Sequence, residues 1–321
     1  MQKIMDFLRI KEWFTSKCSL MIGIFLYCYM KNTHKITGEF WLQLIAFVVF
    51  ISSFLAFGYV INDFCDREID ILAGKKKIIA TFPKWICIAI LVIMVVIAAA
   101  PVLIVGHGKL KLVIAVFITI LAGMTYSAPP ARFKEKGVWG LIVSSVAQRC
   151  LPLWVLYELI VVSLSDLVLW EILSFFIGLR YILVHQRIDA QNDLKTGTVT
   201  FATRHIGMVG VGIYLSFFVE VTCLLLLFRP WNHVAAFCGM IVLILYVLWQ
   251  MGIVRKKFGE NIFMTFSCVP LEDFYNFIVP VIYMFKLAGY TKAGIILIVV
   301  FIIVMWKFQW EKWKLMFGGL R

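Results

Sequence analysis

Long apolar runs recur from one end of the chain to the other, and the short segments between them collect nearly all of the charge. Most runs approach the roughly 20 residues that a helix needs to cross a hydrocarbon core of about 30 Å. They are continuous, as in 88–105 and 295–304, and do not alternate apolar with polar residues as the strands of a spanning barrel do. The pattern predicts helical spans near 14–30, 40–61, 85–105, 112–128, 138–160, 168–186, 206–228, 233–252, 271–285 and 293–306. The last two can also form one long broken element. The expected fold is therefore an all-α integral membrane bundle of nine or ten transmembrane helices in a single domain, 1–321. No small-x-small cleavage pattern follows the first run, which reads as a span rather than a leader.

Composition supports this and removes the soluble classes. Of 321 residues, 62% are hydrophobic and 15% charged, and the mean hydropathy is +0.94, too much apolar surface to hide from water. A net charge of +13 in a soluble chain would suggest a nucleic-acid partner. Here the basic residues follow topology. With the N-terminus cytoplasmic, 22 of the 31 Lys and Arg lie on that side, seven lie opposite, and Arg149 and Arg180 lie within spans. That bias is the positive-inside pattern. The expected setting is a bacterial cell membrane with lipid around the bundle. Neither nucleic acid nor an obligate protein partner is indicated. The eight cysteines form no CxxC pair and the five histidines show no metal spacing, which argues against a disulfide framework or a zinc site.

Acidic residues number only 18, and six of them fall in two short stretches. Asp63-Phe64-Cys65-Asp66-Arg67-Glu68-Ile69-Asp70 closes the second span, and Asp189-Ala190-Gln191-Asn192-Asp193 closes the sixth. Both read D-x-x-x-D-x-x-x-G, as Asp66, Asp70, Gly74 and as Asp189, Asp193, Gly197, an offset of 123 residues. An even number of spans separates them, so the copies share an orientation. This suggests a parallel pseudo-repeat, 1–160 and 161–321, with the active site between halves. Residues four apart share a helix face, so Asn62, Asp66 and Asp70 form one stripe, with Asp63 flanking it, and Asp189 and Asp193 form a second. Clustered carboxylates repel one another unless a cation lies between them. Mg²⁺, a hard ion that bridges a few carboxylates to phosphate oxygens, suits oxygen donors of this kind.

Asn62-Asp63-x-x-Asp66-x-x-x-Asp70 resembles the first signature of the UbiA superfamily of intramembrane prenyltransferases, and Asp189-x-x-x-Asp193 resembles the second. Tyr126-Ser127-Ala128-Pro129-Pro130-Ala131-Arg132-Phe133-Lys134 is similar to the family's Tyr-Ser-x-Pro-Pro-x-Arg-x-Lys segment. Leu8-Arg9-Ile10-Lys11-Glu12-Trp13 resembles its Leu-Arg-Pro-x-x-Trp opening, with Ile10 where proline is usual. The four matches run in family order from residue 8 to residue 193. A tenth span would exceed the family's usual nine. The resemblance implies a helical bundle around a central cavity. It also implies a prenyl diphosphate bound through Mg²⁺ on Asn62, Asp63, Asp66, Asp70, Asp189 and Asp193, and transfer of the prenyl group to a small, often aromatic acceptor.

Such chemistry needs cations on the phosphate oxygens, for which Arg9, Arg132, Lys134, Arg149 and Arg204 are the candidates. It also needs an aromatic face for the allyl cation, for which Tyr126 is preferred. Arg149 is the most telling of these, set well inside the fifth span beside Gln148. The run Lys75–Lys77 reads as membrane-surface charge. His185, one turn before Asp189, reads as an orienting or packed residue, and most other aromatics read as lipid-facing or interfacial. The same motifs admit a terpene cyclase that uses no acceptor, or transfer of a phosphosugar to a polyprenyl phosphate. A secondary transporter is the remaining class. The acceptor, the prenyl length and the oligomeric state are not legible.

Overall fold

The computed structural model describes residues 2–228 apart from 33–35, 73–76, 161, 163 and 197–198, together with 241, 244–245, 247–248, 271, 284, 294–296 and 298–306. Among these residues every regular element is helical. Six helices are long and apolar enough to cross a membrane: Gly38–Cys65, Lys84–Val105, Leu110–Ser127, Val138–Leu159, Leu167–Ile188 and Ile206–Leu227. They coincide with the second to seventh predicted spans. The predicted spans at 233–252 and 271–285 lie almost wholly outside the described residues. That at 293–306 appears as a shorter apolar helix, Gly294–Trp306.

The chain divides into two compact units. The first comprises Met1–Phe133, Leu151–Val162 and Asn276–Glu311, and the second Lys134–Cys150, Ser163–Tyr275 and Lys312–Arg321. The first unit opens with α1 (Gln2–Phe7) and α2 (Ile10–Trp13), a π turn at Phe14–Cys18 and α3 (Ser19–Asn32). The first predicted span is thus met by an interrupted helical stretch rather than one α-helix. Next come α4 (Gly38–Cys65), α5 (Arg67–Leu72), a 3₁₀ turn at Ile78–Thr81, α6 (Lys84–Val105) and α7 (Leu110–Ser127). Thr37 caps α4 by accepting from Phe40 N at 3.3 Å, and Glu39 in the first turn complements the helix dipole.

α4 lies at the centre of this unit, 61% buried over its apolar window against 22% for α6. Its phenylalanines Phe40, Phe47, Phe50 and Phe54 recur at helical spacing and are all buried. They form a chain of ring contacts with one another and with Phe25 of α3, at centroid distances of 5.9–6.3 Å. These rings are exceptions to the expectation that most aromatics are lipid-facing or interfacial: they fill the core. α6 does face outward, with Ile88, Val92, Ile93, Val96 and Ile97 exposed. Gly123 of α7 lets that helix approach Phe54 closely, since a Cβ there would meet the ring at 2.9 Å.

The second unit contains α8 (Val138–Ser145), a second π turn (Val146–Cys150), α10 (Leu164–Thr196), α11 (Phe201–Arg204) and α12 (Ile206–Phe228); α9 (Leu151–Leu159) belongs to the first. The second π turn lies just ahead of Pro152, whose nitrogen has no hydrogen to donate back into the helix, and a widened turn accommodates that. α10 packs on α8 and α12. It is held to α12 by a buried fork, with Arg180 Nε on Glu220 Oε1 at 2.5 Å and Nη2 on Oε2 at 2.9 Å.

Candidate functional site

The first acidic motif is a continuation of α4. The helix closes at Cys65, and Asp66 turns slightly (φ −93°, ψ 3°) before α5 begins. The ladder nevertheless runs on: Asp66 N donates to Asn62 O at 3.0 Å, and Asp70 N donates to Asp66 O at 2.8 Å. Asn62, Asp66 and Asp70 therefore keep a four-residue helical register through the turn, as their spacing predicts. Asp63 and Asp70 are buried; Asn62 and Asp66 are half-buried.

Each of three motif side chains meets a partner from elsewhere in the first unit. Ser127, the last residue of α7, donates to Asn62 Oδ1 at 3.0 Å. Arg132 Nη2 lies 3.0 Å from Asp66 Oδ1. Arg9 Nη1 and Lys77 Nζ both reach Asp63 Oδ1, at 3.0 and 3.1 Å. Arg9 also donates through Nε to Glu12 at 2.6 Å and lies 5.0 Å over the ring of Tyr59. Burial alone would pull its guanidinium down, but Glu12 and Asp63 more than offset this and hold it above its ordinary value. Lys17 Nζ covers the same ring at 4.7 Å and donates to the Tyr59 hydroxyl at 2.9 Å. Tyr126 is half-buried on the last turn of α7, next to Ser127. A cavity of about 330 Å³ opens beside Asp63, lined among others by Phe7, Arg9, Val60, Lys77 and Ile79.

Arg9 and Arg132 share a backbone feature. Both take left-handed conformations, at φ 50° and φ 38°, which cost a non-glycine residue energy and cluster where geometry is imposed by function. They also share a sequence context. Arg9-Ile10-Lys11-Glu12 recurs as Arg132-Phe133-Lys134-Glu135, at the same 123-residue offset that relates Asp66 to Asp189.

The remaining candidates belong to the second unit. Asp189 and Asp193 stand four residues apart on the backbone of α10, just past its apolar portion; their side chains lie outside the described residues. Arg149 is buried on the second π turn, where Gly178 of α10 lies against it. Lys134 is half-buried in the 3₁₀ turn Phe133–Glu135, while His185 and Arg204 are exposed. α11 begins with a reciprocal capping box between Thr200 and Thr203, and Gln186 of α10 accepts from Ala202 N at 3.3 Å.

Sequence reasoning missed Lys77, Tyr59 and Ser127. Tyr59 had a signal in its position, three residues before Asn62 on the same helix. Lys77 had none beyond charge.

Among the described residues, no three or more His, Cys, Asp or Glu side chains are grouped so as to hold a metal ion by themselves. Mg²⁺ does not need such a cage, because it is commonly held by one or two carboxylates together with substrate phosphates and water. The half-buried Asp66 carboxylate and the Asn62 amide oxygen, in one backbone register with Asp70, are oxygen donors of the type such an ion takes.

The sequence profile of the UbiA prenyltransferase family matches residues 20–278. Several solved structures share the fold. A UbiA homologue from Archaeoglobus fulgidus bound to DMAPP and Mg²⁺ is 17% identical, with a TM-score of 0.60 over 86% of this chain and 98% of its own. The apo UbiA homologue from Aeropyrum pernix K1 is 11% identical, with a TM-score of 0.59 over 82% and 97%. A digeranylgeranylglyceryl phosphate synthase structure is 16% identical, with a TM-score of 0.57 over 91% and 100%. No curated protein matches the sequence.

Proposed function

The chain belongs to the UbiA prenyltransferase family and is an integral membrane enzyme, and from that premise we propose that it transfers a prenyl group, in a Mg²⁺-dependent reaction, from a prenyl diphosphate to a small acceptor within the membrane. One observation carries the reading: Asn62, Asp66 and Asp70 keep a single helical register at the end of the most buried of the six described spanning helices, with Arg132 already on the Asp66 carboxylate. The DMAPP and Mg²⁺ of the Archaeoglobus fulgidus homologue support the same substrate class.

Asn62, Asp66 and Asp70 of the first motif, and Asp189 and Asp193 of the second, are the residues assigned to the metal. Bound there, Mg²⁺ supplies neutralisation of the charge that builds on the departing diphosphate. Arg9 and Arg132 contribute guanidinium N–H groups to the phosphate oxygens, and Lys134, Arg149 and Arg204 are assigned to the same anion. Arg132 exchanges its bond with Asp66 for one with the diphosphate. Tyr126 presents an aromatic face to the allyl cation left behind, and the closely packed helices keep water from quenching it. The basic bias of the loops supports a cytoplasmic placement of this end.

The test is product formation. Purified protein receives geranylgeranyl or farnesyl diphosphate, Mg²⁺ and fractions of a cell lipid extract. A prenylated product that needs both the diphosphate and one fraction supports the transferase. A cyclic hydrocarbon or terpene alcohol formed without any fraction overturns it in favour of a cyclase.

A further inference from the structure

Asp63 stands one residue off the Asn62–Asp66–Asp70 register, and its surroundings differ from theirs. Its side chain is 9% exposed, and one oxygen, Oδ1, takes both Arg9 Nη1 and Lys77 Nζ. The neighbouring Lys84–Glu68 pair shows what an ordinary surface contact is here: 71% and 81% exposed, 3.4 Å apart, and worth little. Lys77 is 27% exposed.

The segment that carries Lys77 is anchored. Ile79 is buried, and its carbonyl accepts from Cys87 Sγ at 3.6 Å. Arg67 Nη1 donates to Phe82 O at 2.9 Å, and the Phe82 ring meets Phe7 edge-on at 6.3 Å. Phe7 of α1 and the 78–82 segment thereby fix two walls of the cavity in which Arg9 and Lys77 meet.

A metal ion on Oδ1 of Asp63 would have to displace two cations from a largely buried place, against the single arginine it displaces from Oδ1 of the half-buried Asp66. As a carboxylate between two cations Asp63 does something else: it cancels their repulsion and fixes their direction. Both cations keep hydrogens for another acceptor. Lys77 uses one of three on Asp63, and Arg9 uses one on each Nη.

Resting on the Mg²⁺–prenyl diphosphate reading of this site, we propose that Asp63 is a positioning residue rather than a metal ligand, and that it holds Arg9 and Lys77 as a two-cation clamp for phosphate oxygens in the cavity they line. Lys77 is thereby a phosphate-binding residue.

The experiment measures two affinities in detergent-solubilised full-length protein: Mn²⁺ by electron paramagnetic resonance, and inorganic diphosphate with Mn²⁺ by calorimetry. Asp66→Asn serves as the metal-site control, and thermal unfolding checks folding. Asp63→Asn is expected to keep Mn²⁺ affinity within about twofold of wild type while diphosphate binds about tenfold more weakly, the loss of about one charge-assisted hydrogen bond. Lys77→Ala is expected to show the same tenfold loss with Mn²⁺ binding unchanged, and Lys77→Arg to recover most of it. Lys77→Ala carries the test by itself where Asp63→Asn does not fold. Loss of Mn²⁺ in Asp63→Asn to the extent seen in Asp66→Asn overturns the proposal and leaves the reading of the site intact, as does wild-type diphosphate binding by Lys77→Ala. Wild-type binding of both ligands by Asp66→Asn overturns the reading and the proposal together.

Discussion

Arg132 Nη2 donates to Asp66 Oδ1 at 3.0 Å across 66 residues of sequence, from a left-handed turn just past α7 to the break that follows α4. In the substrate-free protein this arginine pairs with Asp66, and in the proposed reaction it moves to the phosphate. Arg132→Ala therefore separates two quantities. Mn²⁺ binding to the free protein tightens, because a competing cation is gone. Turnover with prenyl diphosphate falls about a hundredfold, the scale of losing one preorganised donor to a developing anion. Metal titration and steady-state kinetics on the same preparation check both directions.

Ser127 donates to the Asn62 amide oxygen at 3.0 Å. Ser127→Ala removes that bond without changing charge. A neutral hydrogen bond contributes about 1 kcal/mol, so metal binding is expected to weaken about fivefold. The thermal midpoint in detergent should stay close to wild type.

The Arg180–Glu220 fork is buried on both sides, with side chains 5% and 0% exposed. Glu220→Gln leaves the guanidinium without its counter-charge, and a loss of about 3–5 kcal/mol is expected. Replacing both partners, Arg180→Met with Glu220→Leu, should recover most of it. Thermal unfolding in detergent reads both. Because α10 also carries Asp189 and Asp193, the single variant should lose activity at temperatures where wild type is fully active.

A Cβ at Gly178 would lie 3.1 Å from both Arg149 Cγ and Ser145 Cα, so α8 must give way by a few tenths of an ångström. Gly178→Val is expected to cost about 1–3 kcal/mol by overpacking. Gly178→Ala should cost less. A midpoint series over Gly, Ala and Val in order of size checks the contact.

Much of this molecule was legible because lipid imposes a simple rule: a crossing helix needs an unbroken apolar run. The third predicted span, 85–105, meets the helix Lys84–Val105. The motifs were harder to place, because their polarity ends the apolar signal before the helix ends. α4 runs on to Cys65 and α10 to Thr196, and only backbone hydrogen bonds reveal that the register continues.

Long-range pairing left no trace in the pattern. Arg180 and Glu220 stand 40 residues apart, and no helical spacing joins them. Lys77 looked like the other lysines of its run, since what distinguishes it is the anchored turn that follows. The burial of the α4 phenylalanines was not legible, because an apolar ring suits lipid and core equally. Nothing in their spacing tells which side a fully apolar helix buries.

The most direct test of the central claim is diphosphate release by the purified protein, given farnesyl or geranylgeranyl diphosphate and a lipid-extract acceptor fraction, with and without Mg²⁺. Wild type is expected to release diphosphate only with Mg²⁺. Asp66→Ala and Asp189→Ala are expected to lose that release while remaining folded in detergent. Release that is indifferent to Mg²⁺, or near-wild-type release by either variant, would contradict the account.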